Sequence, residues 1–395
     1  TLYADGIDGD VLSEIDESIR EEVLEQLPRA VLDDAVREMD SDDVVDLVED
    51  LDDAERALIL AALDAGDRAA VQQSLAYPEY SAGRLMQSEV VTAPEHWTVA
   101  RAIQFLRAEE WLPEQFYHIV LVDPRRHPVG YVTLGRLLAS RSDATLRELA
   151  EDSFRTISAF AEEAEVAYVF NQYHLISAPV VDRDDRLVGV ITIDDAMQVL
   201  DEEHEEDILR LAGVGDESSI SDSVMQTVRQ RVPWLATNIV TALAAASVIA
   251  FFEDAIAQLV ALAVLMPIVA SMGGNAGTQT LTVAVRGLAT RDLSRANALR
   301  VVQREVIVGL TNGVFFGVIM AAITWVWFRD PGLAAVIGSA MIINLLVAAL
   351  AGILIPLGLN KLGADPALAS GTFVTMMTDV IGFLAFLGLA TAVLL

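Results

Sequence analysis

The sequence predicts a multi-domain chain: an N-terminal all-α helical domain, a duplicated α/β module, a connecting helix, and a polytopic α-helical membrane domain of five spans. Three observations predict this. A net charge of −32 coexists with 53% hydrophobic residues, so acidic and apolar segments must be separate. A pattern of short apolar strands alternating with helices occurs twice, about 60 residues apart. Five apolar stretches then follow, each long enough for the ~20 residues that a spanning helix needs. At 395 residues the chain also exceeds one ordinary core. The expected division is 1–80 for the acidic helical domain, 81–212 for the α/β pair, 213–231 for the connecting helix and 232–395 for the membrane domain.

Cutting the chain after residue 231 resolves the conflict in composition. The C-terminal part holds seven basic residues (Arg286, Arg291, Arg295, Arg300, Arg304, Arg329, Lys361) and seven acidic ones (Glu253, Asp254, Asp292, Glu305, Asp330, Asp365, Asp379). That part is neutral, so the whole charge excess sits on residues 1–231. An acidic surface argues against nucleic acid as a partner, which needs a basic face, and suits cations. The absence of cysteine excludes disulfides and thiolate metal sites. The five histidines (His96, His118, His127, His174, His204) show no paired spacing, which argues against a catalytic zinc site. No nucleophile–base pair, phosphate loop or metal triad stands out, so the chain does not read as an enzyme. Its polar, acidic N-terminal stretch shows no signal-peptide pattern.

Residues 8–76 read as short amphipathic helices. VLSEIDESIREEVLEQL, AVLDDAVREM, DDVVDLVEDL, DAERALILAAL and DRAAVQQSL each place apolar residues at helical spacing. Pro28, Asp40-Ser41 and Gly66 punctuate them, as in a small helical solenoid. Asp42, Asp43, Asp46, Glu49 and Asp50 crowd one short segment. They form either a solvated face or one wall of a divalent-cation site facing another domain.

The α/β module follows. EVVTAP, TVARAIQFLRAEE, FYHIVLVD and PVGYVTL return in the same order as RTISAF, EEAEVAYVFNQY, SAPVVD and LVGVITI. The pair resembles tandem CBS domains, a module that often binds adenine nucleotides or senses ions. GVITIDD (189–195) meets the module's Gly-hydrophobic-hydrophobic-Thr-x-x-Asp pattern, whose hydroxyl and carboxylate would hold phosphate and ribose; Thr192 and Asp194 are the candidate nucleotide residues. ATP is the cofactor this resemblance implies. The first copy, GYVTLGR (130–136), carries Arg136 where the carboxylate would stand, which argues against a nucleotide at that half. Residues 194–213 then bring Asp201, Glu202, Glu203, Glu205, Glu206 and Asp207 into one short run. Glu203, Glu206 and Asp207 share one helical face, and like charges so spaced destabilise a helix unless something neutralises them. Hard oxygen ligands without His or Cys suit Mg²⁺ or Ca²⁺.

The five apolar stretches are 233–252, about 256–285, about 303–328, about 333–359 and about 367–395. SVMQTVRQRV (223–232) leads into the first. The arginines of 286–304 place that loop in the cytoplasm by the positive-inside rule. The acidic part is then cytoplasmic and the C-terminus extracytoplasmic, in the cell (inner) membrane. LMPIVASMGGNAGTQTLTVAVRGLA (265–289) is unusual for a span. Pro267 is expected to loosen the helix, while Gly273, Gly274 and Gly277 allow close backbone approach or exposed carbonyls. Asn275, Thr278, Gln279 and Thr280 are polar at membrane depth, which lipid tolerates only where protein or water covers them. Pore lining explains this better than packing alone. In the last stretch Asp379 is the only charge, at a cost of about 2.5–3.5 kcal/mol on insertion scales, and it asks for a cation.

PIVASMGGNAGTQ (267–279), VRGLATRDL (285–293), GADPAL (363–368) and TDVIGF (378–383) resemble the MgtE-type magnesium channel/transporter family, as does the layout of nearly the whole chain. The resemblance implies a homodimer in the lipid bilayer, with spans two and five lining a pore on its axis. It matches Asp379 to the pore aspartate that holds a hydrated Mg²⁺, and places the backbone of Thr375 facing the ion. It implies a Mg²⁺ sensor at Asp195, Glu203, Glu206 and Asp207, with Gln198 a departure where the family can carry an acid. Asp42, Asp43 and Asp46 are the candidate partners on the helical domain. The function expected is Mg²⁺ transport, closed when cytosolic Mg²⁺ bridges the acidic faces. Transport of Co²⁺ or Mn²⁺ on the same scaffold, or a membrane-anchored regulator without transport, are the alternatives.

Overall fold

The computed structural model describes residues 9–395 other than 14, 16–19, 21–22, 25, 50, 110, 114, 152–153, 215–217, 221, 295 and 368–369. Much of the helix predicted over 11–27, together with Asp50, Arg295 and Leu368, lies outside the described residues. The chain divides into two compact units, one ending at His204 and one beginning at Glu205.

The first unit begins with the short helix Gly9–Ser13 and continues with the helices Arg29–Glu38, Ser41–Glu49, Asp53–Ala62 and Ala65–Ser74. Their boundaries follow from local chemistry. Asp52 and Asp64 precede two of them, and each carboxylate accepts from the amides two and three positions on, as an N-cap requires. Arginine closes the preceding helix in each case. Arg56 donates to the carbonyls of Val48 and Glu49, and Arg68 to those of Leu60, Ala61 and Leu63. These carbonyls have no partner within their own helix. Val44, Val45, Leu47 and Val48 turn inward to a core with Leu12, Val36, Ile59 and Val71. That leaves Asp42, Asp43, Asp46 and Glu49 on the opposite face of the same helix.

The duplication predicted in the sequence appears as two three-stranded sheets of identical topology. β1 (Thr92–Pro94) pairs parallel with β2 (His118–Val122), which pairs antiparallel with β3 (Pro128–Thr133). β4 (Ile157–Ser158), β5 (Ser177–Val181) and β6 (Leu187–Thr192) repeat the arrangement. The registers coincide residue for residue. Val120 faces Tyr131 as Pro179 faces Val190, and both copies carry an irregularity at the end of the middle strand, between Leu121 and Val122 and between Val180 and Val181. β6 runs into the 20-residue helix Ile193–Ala212, so the acidic run continues from the GVITIDD motif without a break.

The second unit contains five helices long and apolar enough to cross a membrane, at Val224–Phe251, Ala261–Ala289, Ala298–Phe328, Pro331–Leu362 and Gly371–Leu394. A short helix, Glu253–Gln258, joins the first two. The fourth span is the hub: Leu333, Ile337, Ala340, Met341 and Leu345 are its core residues. The third span approaches it through Gly309, Gly313 and Gly317, four residues apart. A Cβ on Gly313 would lie 3.0 Å from the Ile342 Cα, and one on Gly317 2.7 Å from the Gly338 carbonyl oxygen. This is the small-residue packing that spans use where no hydrophobic effect draws helices together.

Two expectations need correction. The connecting residues 224–231 are not a separate helix; they are the first turns of the 28-residue helix that becomes span one, with Pro233 inside it. Span two is not interrupted at its polar stretch. Ala261–Ala289 is one helix with Pro267 inside it; the missing amide forfeits one bond of the ladder and leaves the rest of the helix in place. The glycines allow close packing, one of the two uses expected of them. A Cβ on Gly273 would overlap the Asn344 amide, and one on Gly277 would meet Val374 at 2.5 Å.

Candidate ion site and cation-sensing face

The last span, Ser370–Leu394, holds no charge other than Asp379. Asp379 is half-buried, and its Oδ1 is enclosed with no hydrogen-bond partner among the described residues. An acceptor left in this condition is unfavourable by about 1–3 kcal/mol, and more when charged. A hydrated cation supplies what the site lacks, positive charge and water protons. One turn earlier, the Thr375 carbonyl, expected to face the ion, accepts a 2.9 Å bond from the Thr378 hydroxyl. As a residue of the helix Ser370–Leu394 it also takes part in the helix's own ladder. Gly274 faces Thr375, since a Cβ there would lie 3.9 Å from the threonine methyl. Spans two and five are therefore packed together at the level of Thr375.

The other predicted pore residues distribute differently. Gly273 and Gly277 are buried in helix contacts. Pro267 and Asn275 are exposed on the single chain. Gln279 lines a cleft of about 150 Å³ with Thr280, Glu305, Gly309 and Asn312, between spans two, three and four. Within one chain Gln279 thus points toward span three. Sequence reading missed Asn344 altogether. It is fully buried and donates through Nδ2 to the Val269 carbonyl at 2.8 Å. The signal was available, since Asn344 is the only side-chain amide in the apolar stretch 333–359.

The predicted sensor carboxylates are partly brought together. Burial, followed by the charges of Asp195, Asp43, Asp40 and Glu89, pushes the Asp42 carboxyl well above the usual range. Burial raises that of Asp195 as well, while hydrogen bonds from Thr192 oppose the rise. Ser41 anchors the helix here, donating to Glu89 at 2.8 Å and accepting from the Ser88 amide at 2.7 Å. Asp46 instead pairs with Arg20 at 3.0 Å, and Glu49 with Arg84 at 2.5 Å. Farther along the helix from Asp195, Glu203 is exposed. Glu206 and Asp365 share Arg210, at 2.8 and 2.7 Å. Asp207 is half-buried. Among the described residues no three His, Asp or Glu stand close enough to hold a metal ion. Arginines pair with Asp46, Glu49 and Glu206. Asp42 and Asp195 remain near enough for the Asp195 charge to act on Asp42, and a divalent cation, or a proton, would relieve them. Asp40 and Glu89 belong to this environment, while Glu163 stands by Glu49, Glu202 and Asp46; none was singled out from the sequence, and their signal is tertiary.

The Thr192 hydroxyl contacts the Asp194 carboxylate and lies 2.6 Å from Asp195. Neither Thr192 nor Asp194 lines a cleft of about 500 Å³ that the CBS-like pair does contain. That cleft is bordered by His118, Tyr131, Thr133, Glu151, Phe154, Arg155 and Tyr173. The Arg155 guanidinium stacks over the Tyr173 ring at 3.7 Å, and Arg136 pairs with Glu151 at 3.0 Å. Burial lowers the His118 pKa, with Glu151 opposing.

Comparison with known proteins places each segment. Residues 266–389 match the family described as a divalent cation transporter, residues 2–80 the MgtE intracellular N domain, and residues 82–143 and 141–202 the CBS domain. The magnesium transporter MgtE of Enterococcus faecalis is 34% identical over 321 residues, 81% of this chain and 71% of the relative. That of Thermus thermophilus is 32% identical over 330 residues, 82% and 72% of the two chains. A crystal structure of the cytosolic domain of the Mg²⁺ channel MgtE in complex with ATP is 30% identical, covers 48% of this chain and 78% of that one, and superposes with a TM-score of 0.46. Soluble and membrane parts match the same transporters in the same order, and the chain belongs to the MgtE family of magnesium transporters, membrane proteins whose transported ion is Mg²⁺.

Proposed function

We propose that two copies of this chain form a Mg²⁺-selective pathway in the cell membrane in which Asp379 from each copy holds a hydrated ion. The observation that carries this reading is the Asp379 carboxylate: the lone charge of its span, with one buried oxygen that no donor among the described residues satisfies. Mg²⁺ sheds water reluctantly, so carboxylates and carbonyls acting on its waters suit both selectivity and release. The outward-facing Asn275 supports the dimer, because a polar side chain at that depth needs protein or water against it. In this reading residues 1–80, 81–212, 213–231 and 232–395 act as sensor, CBS pair, link and pore. The arginine-bearing loop 286–304 and the soluble domains are cytosolic, and the C-terminus is extracytoplasmic. Cytosolic Mg²⁺ bridges the Asp42–Asp195 face, with Asp43 and the acids of the following helix contributing, and favours the closed arrangement through its higher affinity for it. Replacing Asp379 by Ala should abolish Mg²⁺ uptake into liposomes with the protein still folded; unchanged uptake refutes the pore assignment. Co²⁺ or Mn²⁺ uptake that Mg²⁺ does not compete with would favour another divalent cargo on the same oxygen ligands.

The cleft at Tyr131, Phe154, Arg155 and Tyr173 favours a further role for the CBS pair, binding of an adenine nucleotide. Aromatic rings and a guanidinium suit a base and a phosphate. Calorimetric titration of ATP into the full chain tests this role, and the absence of binding heat at millimolar ATP refutes it.

A further inference from the structure

We propose that Asn344 is a positioning residue for the ion site: its buried amide holds spans two and five in the register at which Asp379 meets the ion. This rests on the reading of Asp379 given above. Asn344 lies in the most apolar of the spans and is completely buried. Its Nδ2 donates to the Val269 carbonyl of span two, while its Oδ1 has no partner among the described residues. Burying an unsatisfied acceptor is unfavourable, and a leucine of similar size would fill the place without that cost. The amide therefore contributes something that apolar packing does not.

The two glycines around it indicate what that is. A Cβ on Gly273 of span two would overlap the amide nitrogen, and one on Gly382 of span five would stand 2.8 Å from the amide oxygen. The Asn344 side chain thus occupies the gap between two helices at positions where neither can carry a side chain. Gly382 is three residues after Asp379, on adjoining parts of one helical face, and Gly273 precedes Gly274, which faces Thr375. The amide meets span five within a turn of the carboxylate. Its bond to Val269 sets how far span two reaches along it. An apolar side chain would let the helices slide or rotate, because contacts between aliphatic groups have no preferred direction, whereas a hydrogen bond has one.

The test uses the full chain in liposomes, with two readouts: the Mg²⁺ concentration for half-maximal uptake and the ratio of Mg²⁺ to Co²⁺ flux. Asn344→Leu is expected to raise the half-saturating concentration by roughly tenfold, in the range seen when an outer-shell partner of a metal ligand is removed, and to lower the flux ratio. Gly382→Ala, which pushes a methyl into the amide, is expected to do the same. The double variant Asn344→Ala with Gly382→Ala restores the volume without the hydrogen bond, and keeps the test open if Asn344→Leu does not fold. It is expected to fold yet retain the altered half-saturation and flux ratio. Wild-type values of both in either folded Asn344 variant would overturn the proposal, since a purely structural amide affects how much protein folds and not what it selects. Asp379→Asn is measured alongside. Uptake that survives it overturns the pore reading; uptake lost there, with Asn344 variants unaltered, overturns the positioning role alone.

Discussion

Glu163 begins the helix Glu163–Tyr173 where the N-terminal helices meet the strand module, and replacing it with Gln tests whether the acidic faces repel one another. Burial, then the charges of Glu49, Glu202 and Asp46, push its carboxyl from 4.5 up to about 7, with Arg84 opposing. A carboxyl raised in the docked state favours docking when protonated. Its penalty is absent below the open-state value of 4.5 and grows as pH rises through about 7. That difference corresponds to about 3 kcal/mol at 1.36 kcal/mol per pKa unit; partial exposure and salt screening reduce it to about 1–3 kcal/mol. Glu163→Gln should therefore favour the docked form roughly 5- to 100-fold at pH 8 without Mg²⁺, and much less at pH 5. The chain has no cysteine, so a pair of labels at Ala57→Cys and Asp184→Cys can report docking by energy transfer in the full protein. Wild type should open between pH 5 and pH 8 in the absence of Mg²⁺ and close again when Mg²⁺ is added. The variant should stay closed, with the remaining pH slope due to Asp42 and Asp195. Equal opening of variant and wild type at pH 8 would refute the repulsion argument.

Two other outcomes are expected. Arg210→Gln leaves Glu206 and Asp365 without their shared guanidinium, a loss of about 1–3 kcal/mol for a pair that is not wholly buried, and should raise the Mg²⁺ needed to inhibit uptake several-fold; an unchanged inhibition midpoint would assign that bridge to stability alone. Tyr173→Ala removes the ring beneath Arg155 and should weaken ATP binding, measured by calorimetry on the full chain, by about tenfold. The substitution Thr192→Ala, away from the cleft, should change it little, and the reverse order of effects would return the nucleotide to the second copy's motif.

Much of the architecture was legible because it is written in periodicities. The 3.6-residue spacing of Val44, Val45, Leu47 and Val48 shows which face of that helix is core, and the repeat of GYVTLGR as GVITIDD shows two copies of one module. Residue-level roles were less legible. Glycines in a polar stretch look alike whether they bend a helix or admit a neighbour, and only the approach of Asn344 and Val374 showed that Gly273 and Gly277 admit neighbours. The acidic faces posed a similar difficulty. Asp42 and Asp46 sit on one helix four residues apart, yet one is surrounded by carboxylates and the other is paired with Arg20, and the partners are remote in sequence.

The sequence by itself determined the separation of acidic and apolar parts, the number of spans, the duplication, and Asp379 as the charge that a bilayer does not tolerate without purpose. Each depends on composition or short-range pattern, which burial and the helical or strand repeat convert directly into structure. Only the tertiary structure decided which carboxylates converge, which are neutralised by arginine, and where the CBS-like pair keeps an open cleft. It alone brought Asn344 of the fourth span between glycines of the second and fifth. Those facts depend on distances between residues far apart in the chain, and electrostatic and packing energies depend on such distances rather than on position along it.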